Sequence, residues 1–333
     1  MRIGVTYDLR SDYLALGLGE EETAEFDSEV TIAAICGALE SLGHEPCRIG
    51  GVRRLTERLV RDERWDAVFN ICEGLRGVAR EAQVPALLEA YDVPYVFSDP
   101  LTLALALDKG MAKRVVRSCG VPTPDFALIE SAEDIAAIDL PFPLFLKPVA
   151  EGSGKGVDGK SRVTTRASLA HVAQDILERF RQPVLVETFL PGREFTVGIV
   201  GTGREASALG VLELFWTDKA SAHDYGYENK EHFEETMIYR LAEDRAAEDA
   251  AEVALAAWRA LRCRDGGRVD IRYGSDGKAY FLEVNPLAGL NPDRSDLVFI
   301  TRFKGLSYRD LIERILVSFA RRTPGFTVAG GPG

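Results

Sequence analysis

GRVDIRYGSDGKAYFLEVNP, residues 267–286, is the stretch on which the fold turns. Asp276-Gly277 is the dipeptide of a two-residue type I′ turn, and the runs on either side alternate apolar and polar residues. A hairpin closed by those two residues sets Ser275 against Lys278, Asp270 against Glu283 and Arg268 against Asn285. Opposed residues share a face, as do residues two apart on one strand. One face then carries Arg268, Asp270, Arg272, Phe281, Glu283 and Asn285; the other carries Val269, Ile271, Tyr273, Tyr280, Leu282 and Val284. The second is a core face. The first gathers two carboxylates and an amide around one point, the oxygen-only set that a hard cation such as Mg²⁺ takes. A solvated face of Arg–carboxylate pairs has the same composition and is the ordinary alternative.

Two features upstream favour the metal. KPVAEGSGKGV (147–157) is a glycine-rich run whose backbone N–H groups can approach phosphate oxygens. It lacks Walker A spacing and joins two strands, FPLFLKPV and KSRVTT, as an antiparallel hairpin. Lys147, inside the apolar run PLFLKP, needs an anionic partner or a path to water. A helix over 167–180, the strand PVLVETFL, and the strands EFTVGIVG and SALGVLELF follow. After them come a polar loop, 217–236, and helices over about 242–261 and 307–321. Tyr225 and Tyr227 give the polar loop the composition of a lid.

Toward the N-terminus the pattern is strand and helix in alternation. RIGVTY, HEPCRI, DAVFNI and VPYVF read as strands, with helices over 28–42, near 53–63 and over 79–90. This is a parallel α/β domain of about 100 residues. Residues 101–120 read as helical, and 121–129 as extended chain. No internal repeat is present.

The 333 residues suffice for two or three domains, and 46% hydrophobic with 28% charged residues is a globular composition. A net charge of −12 repels phosphate backbones and anionic lipid, which speaks against nucleic-acid and membrane partners. Five scattered cysteines without C-x-x-C read as reduced thiols of a cytoplasmic protein. The N-terminus has no signal-peptide core. The absence of G-x-G-x-x-G sets aside an NAD-dependent oxidoreductase.

In order and spacing, LALDKGMAKRVVRSCGVPTP (105–124), FLKPVAEGSGKGVDGKSRV (145–163), VLVETFLPGREFTVGIVG (184–201), YENK (227–230) and the 267–292 segment resemble the ATP-grasp superfamily, in particular the D-alanine–D-alanine ligase family. The resemblance implies an α/β and α+β chain. Its parts are an N-terminal Rossmann-like domain (1–100), a central subdomain with the glycine-rich loop (101–186), a C-terminal subdomain with the metal site (187–322) and a flexible tail (323–333). It implies ATP and two Mg²⁺ ions, with Mn²⁺ as a substitute, a small amino-acid or peptide substrate, and a homodimer. It implies a ligase that forms an amide through an acylphosphate. Lys109, Lys147 and, from the lid, Lys230 would contact phosphates, with Glu151, Gly152 and Gly154 in the loop above them. Glu187, Phe189 and Leu190 would hold adenine, and Glu194 the ribose. Asp270, Glu283 and Asn285 would bind metal. Arg268, Ser153 and Gly289 would serve the reacting centre.

The chain departs from the family where the amino acids bind. Asp27 or Glu29 stands in the acidic segment that holds an ammonium. NICEGLRGVAREAQVP (70–85) lacks the family's His, and Arg80 there could pair with a substrate carboxylate. Glu231 replaces a tyrosine of the second amino-acid subsite, and Ser295 lies in a lengthened loop. These departures keep open a different amine, and also a nucleotide-binding sensor that does not ligate.

Overall fold

The computed structural model describes residues 1–216 and 237–328. The N-terminal strands β1 (Arg2–Thr6), β2 (Glu45–Arg48), β3 (Ala67–Asn70) and β4 (Tyr95–Val96) form a parallel sheet in the order β2-β1-β3-β4. β5 (Phe126–Ile129), β6 (Leu144–Pro148), β7 (Arg162–Val163) and β8 (Val184–Thr188) form an antiparallel sheet ordered β5-β8-β6-β7. β9 (Glu194–Val200), β10 (Ser207–Trp216), β11 (Met237–Leu241), β12 (Gly266–Tyr273) and β13 (Ala279–Asn285) form a third, ordered β11-β10-β9-β12-β13. Among the described residues no helix is long and apolar enough to cross a membrane.

Helices cover the sheets, the first and third of them on both faces. The helix Arg166–Phe180 covers the second sheet through Leu169, Val172 and Ile176. The helix Arg245–Ala260 covers the third through alanines and Trp258. The N-terminal sheet packs on Glu29–Ser41, and its core is shared with the final helix, Tyr308–Arg322: Ile3, Val5 and Ile35 lie in one cluster with Ile312, Ile315 and Phe319. Asp265, fully buried with φ +65°, ties these parts together. It accepts from Phe97 N at 2.8 Å, Ser318 Oγ at 3.0 Å and Arg322 Nη2 at 2.5 Å.

Three expectations are corrected. The helical stretch 101–120 is two helices, Pro100–Leu107 and Lys109–Ser118, broken at Asp108. Asp108 ends the first in extended conformation and caps the second by accepting from Met111 N at 2.9 Å. The helices Arg10–Ala15 and Asp296–Phe303 are additional to the elements the pattern predicts.

The third correction concerns the deciding hairpin. Its register is as expected from Arg268↔Asn285 to Asp270↔Glu283, then slips by one to Ile271↔Phe281 and Tyr273↔Ala279. The turn is not type I′, since Gly277 (φ +74°) has a positive φ and Asp276 does not. Gly274 N instead donates to Lys278 O at 2.9 Å, closing a three-residue loop. The odd residue is absorbed by a bulge at Leu282. Phe281 N donates to Pro122 O at 2.8 Å, while Phe281 O accepts from Thr123 Oγ1 at 2.9 Å. Phe281 and Leu282 therefore exchange faces: Phe281 is fully buried in the core, and Leu282 faces the other way.

Candidate functional site

A cleft opens between the second and third sheets. β6 contributes Lys147, β8 Glu187, β9 Glu194, β12 Asp270 and Arg272, and β13 Leu282 and Glu283. Phe189 and Leu190, just after β8, join them, and the glycine-rich loop adds Glu151, Gly154 and Lys155. Register explains the gathering. β12 lies beside β9 with Asp270 opposite Thr196 and Arg272 opposite Glu194, so one face presents all four groups. Thr196 Oγ1 donates to Asp270 at 2.9 Å, and Arg272 pairs with Glu194 at 3.0 Å.

Three lysines reach the cleft, one from β6 and two from the helix Lys109–Ser118, whose Ala112 and Val116 pack in the core of the third sheet. Lys147 Nζ lies 3.1 Å from Glu283 and 3.7 Å from Glu187. Lys109, at the first turn of the helix that Asp108 caps, donates to Glu151 O at 2.5 Å and lies 3.9 Å from Glu283. Lys113, one turn on and fully buried, meets Glu187 at 2.5 Å and donates to Thr123 Oγ1 at 3.1 Å. Burial opposes every charge here, and the partners decide the outcome. The Lys147 ammonium is held protonated because Glu187 and Glu283 outweigh burial. Burial wins at Lys113, bringing it down to about 8, and also lowers Lys109. Glu187 stays ionised, since Lys113 and Lys147 together outweigh its burial.

A second cavity adjoins the first across the glycine-rich loop. Its wall includes Glu25, Asp27, Ser153, Arg268, Gly289 and Asp296. Arg268 donates to Asp270 at 2.6 Å and lies 3.6 Å from Asp296. Gly198 and Gly210 make that approach possible: a Cβ on either would come within 3.0 Å of Ile300, so their absence of a side chain seats the helix Asp296–Phe303 on β9 and β10. Burial pushes Asp27 up to about 7, aided by Asp8 and opposed by a hydrogen bond from Thr31. Ser295 lines the cavity, with its hydroxyl accepting from Asn291 N at 2.8 Å. A Cβ on Gly289 would lie 2.9 Å from that hydroxyl.

Several expected residues lie elsewhere. Glu29 is on the outer face of its helix, paired with Arg48 at 2.5 Å, outside the cavity. Arg80 lines neither space: it pairs with Glu25 at 2.9 Å and donates to Ala150 O at 2.9 Å. Gly152 is present in the loop with its N–H on Glu25 at 2.5 Å. Lys230 and Glu231 fall outside the described residues. Asn285 stands opposite Arg268, next to the Asp270–Glu283 pair. Asn285 lines neither space, and among the described residues no three His, Cys, Asp or Glu side chains converge as a metal site. Two carboxylates and an amide remain a chemistry suited to Mg²⁺.

Sequence reasoning missed Lys113, Leu282, Glu25, Lys155 and Asp296. Lys113 had a signal, standing four residues after Lys109 on one helix face. Lys155 was visible as a second cation in the loop.

Two β-rich layers closing on a lysine- and carboxylate-lined cleft, behind a parallel α/β domain, define the ATP-grasp fold. The family model described as D-ala D-ala ligase C-terminus matches residues 115–317. A D-alanine–D-alanine ligase of Aquifex aeolicus is 32% identical over 284 residues, covering 85% of this chain and 92% of that protein. A Bacillus anthracis D-alanine–D-alanine ligase complexed with ATP superposes with a TM-score of 0.71 at 22% identity, covering 97% and 98% of the two chains. The VanG D-Ala:D-Ser ligase of Enterococcus faecalis does so with 0.71 at 20% identity, covering 96% and 99%. The chain belongs to the D-alanine–D-alanine ligase family, a family of ATP-dependent ligases.

Proposed function

We propose that the chain joins a small amino acid or peptide to an amine, with ATP cleaved to ADP and phosphate, and that D-alanyl-D-alanine is its first candidate product. The observation that carries this reading is the shared wall. The lysine-lined cleft and the cavity holding Arg268 and Gly289 meet at the glycine-rich loop, where Ser153 faces one and Gly154 the other, and across the Arg268–Asp270 contact.

In this reading Phe189, Leu190 and Leu282 form an apolar slot for adenine, Glu187 accepts from its amino group and Glu194 takes the ribose. Lys109 and Lys147 neutralise the phosphates, which is most of what phosphoryl transfer asks of a protein. Asp270, Glu283 and Asn285 would hold Mg²⁺, which when bound neutralises phosphate charge as a Lewis acid. A substrate carboxylate oxygen attacks the γ-phosphorus, and the bond to ADP breaks. The amine nitrogen then attacks the acyl carbon, phosphate leaves, and the nitrogen loses its proton. Arg268 and the Gly289 N–H face the oxygen that becomes negative in that second step. In the cavity Asp27 offers a carboxyl group to a cationic group on a substrate, whereas Asp296 is engaged by Arg268. The division into 1–100, 101–186 and 187–322 is part of the same proposal.

The test is ADP release from Mg-ATP with D- and L-amino acids, singly and in pairs, with products read by mass and Asp270→Asn as control. D-alanine-dependent ADP release with D-alanyl-D-alanine as product is the expected result. Turnover with a different pair keeps the chemistry and replaces the substrate. Nucleotide binding without turnover on any acid, amine or peptide tested sinks the ligase reading in favour of a sensor.

A further inference from the structure

The glycine-rich loop is fastened to the N-terminal part of the chain by a charge cluster that none of the roles above uses. Arg80 lies in a short turn, Arg80–Ala82, beyond β3. Its Nη1 donates to Ala150 O and its Nη2 to Glu25 Oε2, both at 2.9 Å. Glu25 Oε1 accepts from Gly152 N at 2.5 Å, and its Oε2 lies 3.4 Å from Lys155 Nζ. Lys155 also meets Glu151 at 2.6 Å. The side chains of Arg80, Glu25 and Lys155 are 10%, 8% and 9% exposed, so water screens them little. Glycine at 152 is required by this contact, since a Cβ there would stand 2.4 Å from Glu25 Oε1. Arg80 and Lys155 outweigh the burial of Glu25 and keep its carboxylate ionised.

The cluster sits in the partition between the two spaces. Glu25 and Ser153 face the substrate cavity, whereas Glu151, Gly154 and Lys155 face the cleft. We propose that Arg80 is a positioning residue: acting through Glu25 and Ala150, it holds the glycine-rich loop in its nucleotide-binding conformation and aims the Lys155 ammonium at the phosphates. This rests on the reading of the cleft as a nucleotide site. A loop left free must be ordered when the ligand arrives, at about 1–2 kcal/mol per residue. A loop fixed beforehand spares binding that cost.

Titration calorimetry with ADP and with a non-hydrolysable ATP analogue tests this without knowledge of the amino-acid substrate. Arg80→Met is expected to weaken nucleotide binding roughly 10–100-fold, with Arg80→Lys in between. Glu25→Gln weakens it as well, and the double variant Arg80→Met/Glu25→Gln loses less than the two single losses combined, because both act on one contact. Lys155→Met, which leaves the Arg80–Glu25 pair in place, weakens binding too and serves if Arg80→Met does not fold. Wild-type affinity in Arg80→Met, or in Lys155→Met where only that variant folds, overturns the proposal. Fully additive losses in the double variant, or an Arg80→Lys as weak as Arg80→Met, also overturn it. A wild-type chain that binds no nucleotide refutes the proposed function instead, and is recognised by that.

Discussion

Lys113→Met puts an apolar chain of similar length beside a carboxylate that has almost no access to water. Glu187 is 3% exposed, and Lys113 meets it at 2.5 Å with no exposure of its own. Breaking a buried pair by removing one partner costs about 3–5 kcal/mol. Lys147, 3.7 Å from Glu187, offsets part of the loss and sets the expectation near the lower end, about 3 kcal/mol. Thr123 loses little, because its hydroxyl already donates to Phe281 O at 2.9 Å. Lys113 is down to about 8, so burial costs that ammonium more than Glu187 returns. Removing both charges is therefore expected to be far cheaper, with Lys113→Met/Glu187→Gln within about 1 kcal/mol of the wild type. Urea unfolding followed by tryptophan fluorescence at pH 7 measures both. The lowered value also fixes a sign. Between about pH 8 and the ordinary lysine value of 10.5 the unfolded chain holds a proton that the folded chain has lost, so this group's contribution to stability rises with pH across that window. A single variant that loses less than about 1 kcal/mol, the range of an exposed pair, or a double variant as unstable as the sum of the singles, refutes the reasoning.

The face exchange at the bulge separates two neighbours. Phe281→Ala is expected to destabilise by about 3–5 kcal/mol as a core truncation; Leu282→Ala should leave stability almost intact and weaken ATP binding about tenfold, as urea melts and nucleotide titration will show. Asp27, pushed up to about 7 from its ordinary 3.8, keeps in the folded state a proton that the unfolded chain releases, so stability is lost as pH rises through that interval. Asp27→Asn should stabilise by about 2 kcal/mol more at pH 8 than at pH 5, and equal gains at the two pH values in urea melts would contradict the buried environment assigned to it.

What could be read in the sequence was what local pattern encodes. The strands, most helices and the pairing of Asp270 with Glu283 follow from alternation and from an invariant of antiparallel geometry, that opposed residues share a face. The slip beyond Asp270 left no trace, because Phe281 and Leu282 are both large and apolar and the alternation reads equally well with either one inward. The type I′ turn failed for a related reason: Asp276-Gly277 suits two loop lengths, and tertiary contacts from Pro122 and Thr123 to Phe281 favour the longer. The break at Asp108 was hidden by continuous apolar periodicity on both sides. Glu25 and Arg80 are 55 positions apart and pair directly where both fasten the glycine-rich loop. Spacing cannot reveal such a pair. Glu29 and Asp27, two residues apart at a helix start, could be told apart only by the direction in which each side chain leaves the backbone.

The shared core of the N-terminal sheet and the helix Tyr308–Arg322 sets a timetable for synthesis. Ile3 and Val5 leave the ribosome among the first residues, yet the cluster that buries them includes Ile312, Ile315, Phe319 and Phe326, which are made more than three hundred residues later. Domains that close on themselves can fold as they emerge. Here the helix Glu29–Ser41 can cover part of the first sheet early, but the core they share stays open toward the last helix, and Asp265 waits for Arg322. During that interval the unfinished chain is the form most exposed to aggregation and the one a chaperone would meet.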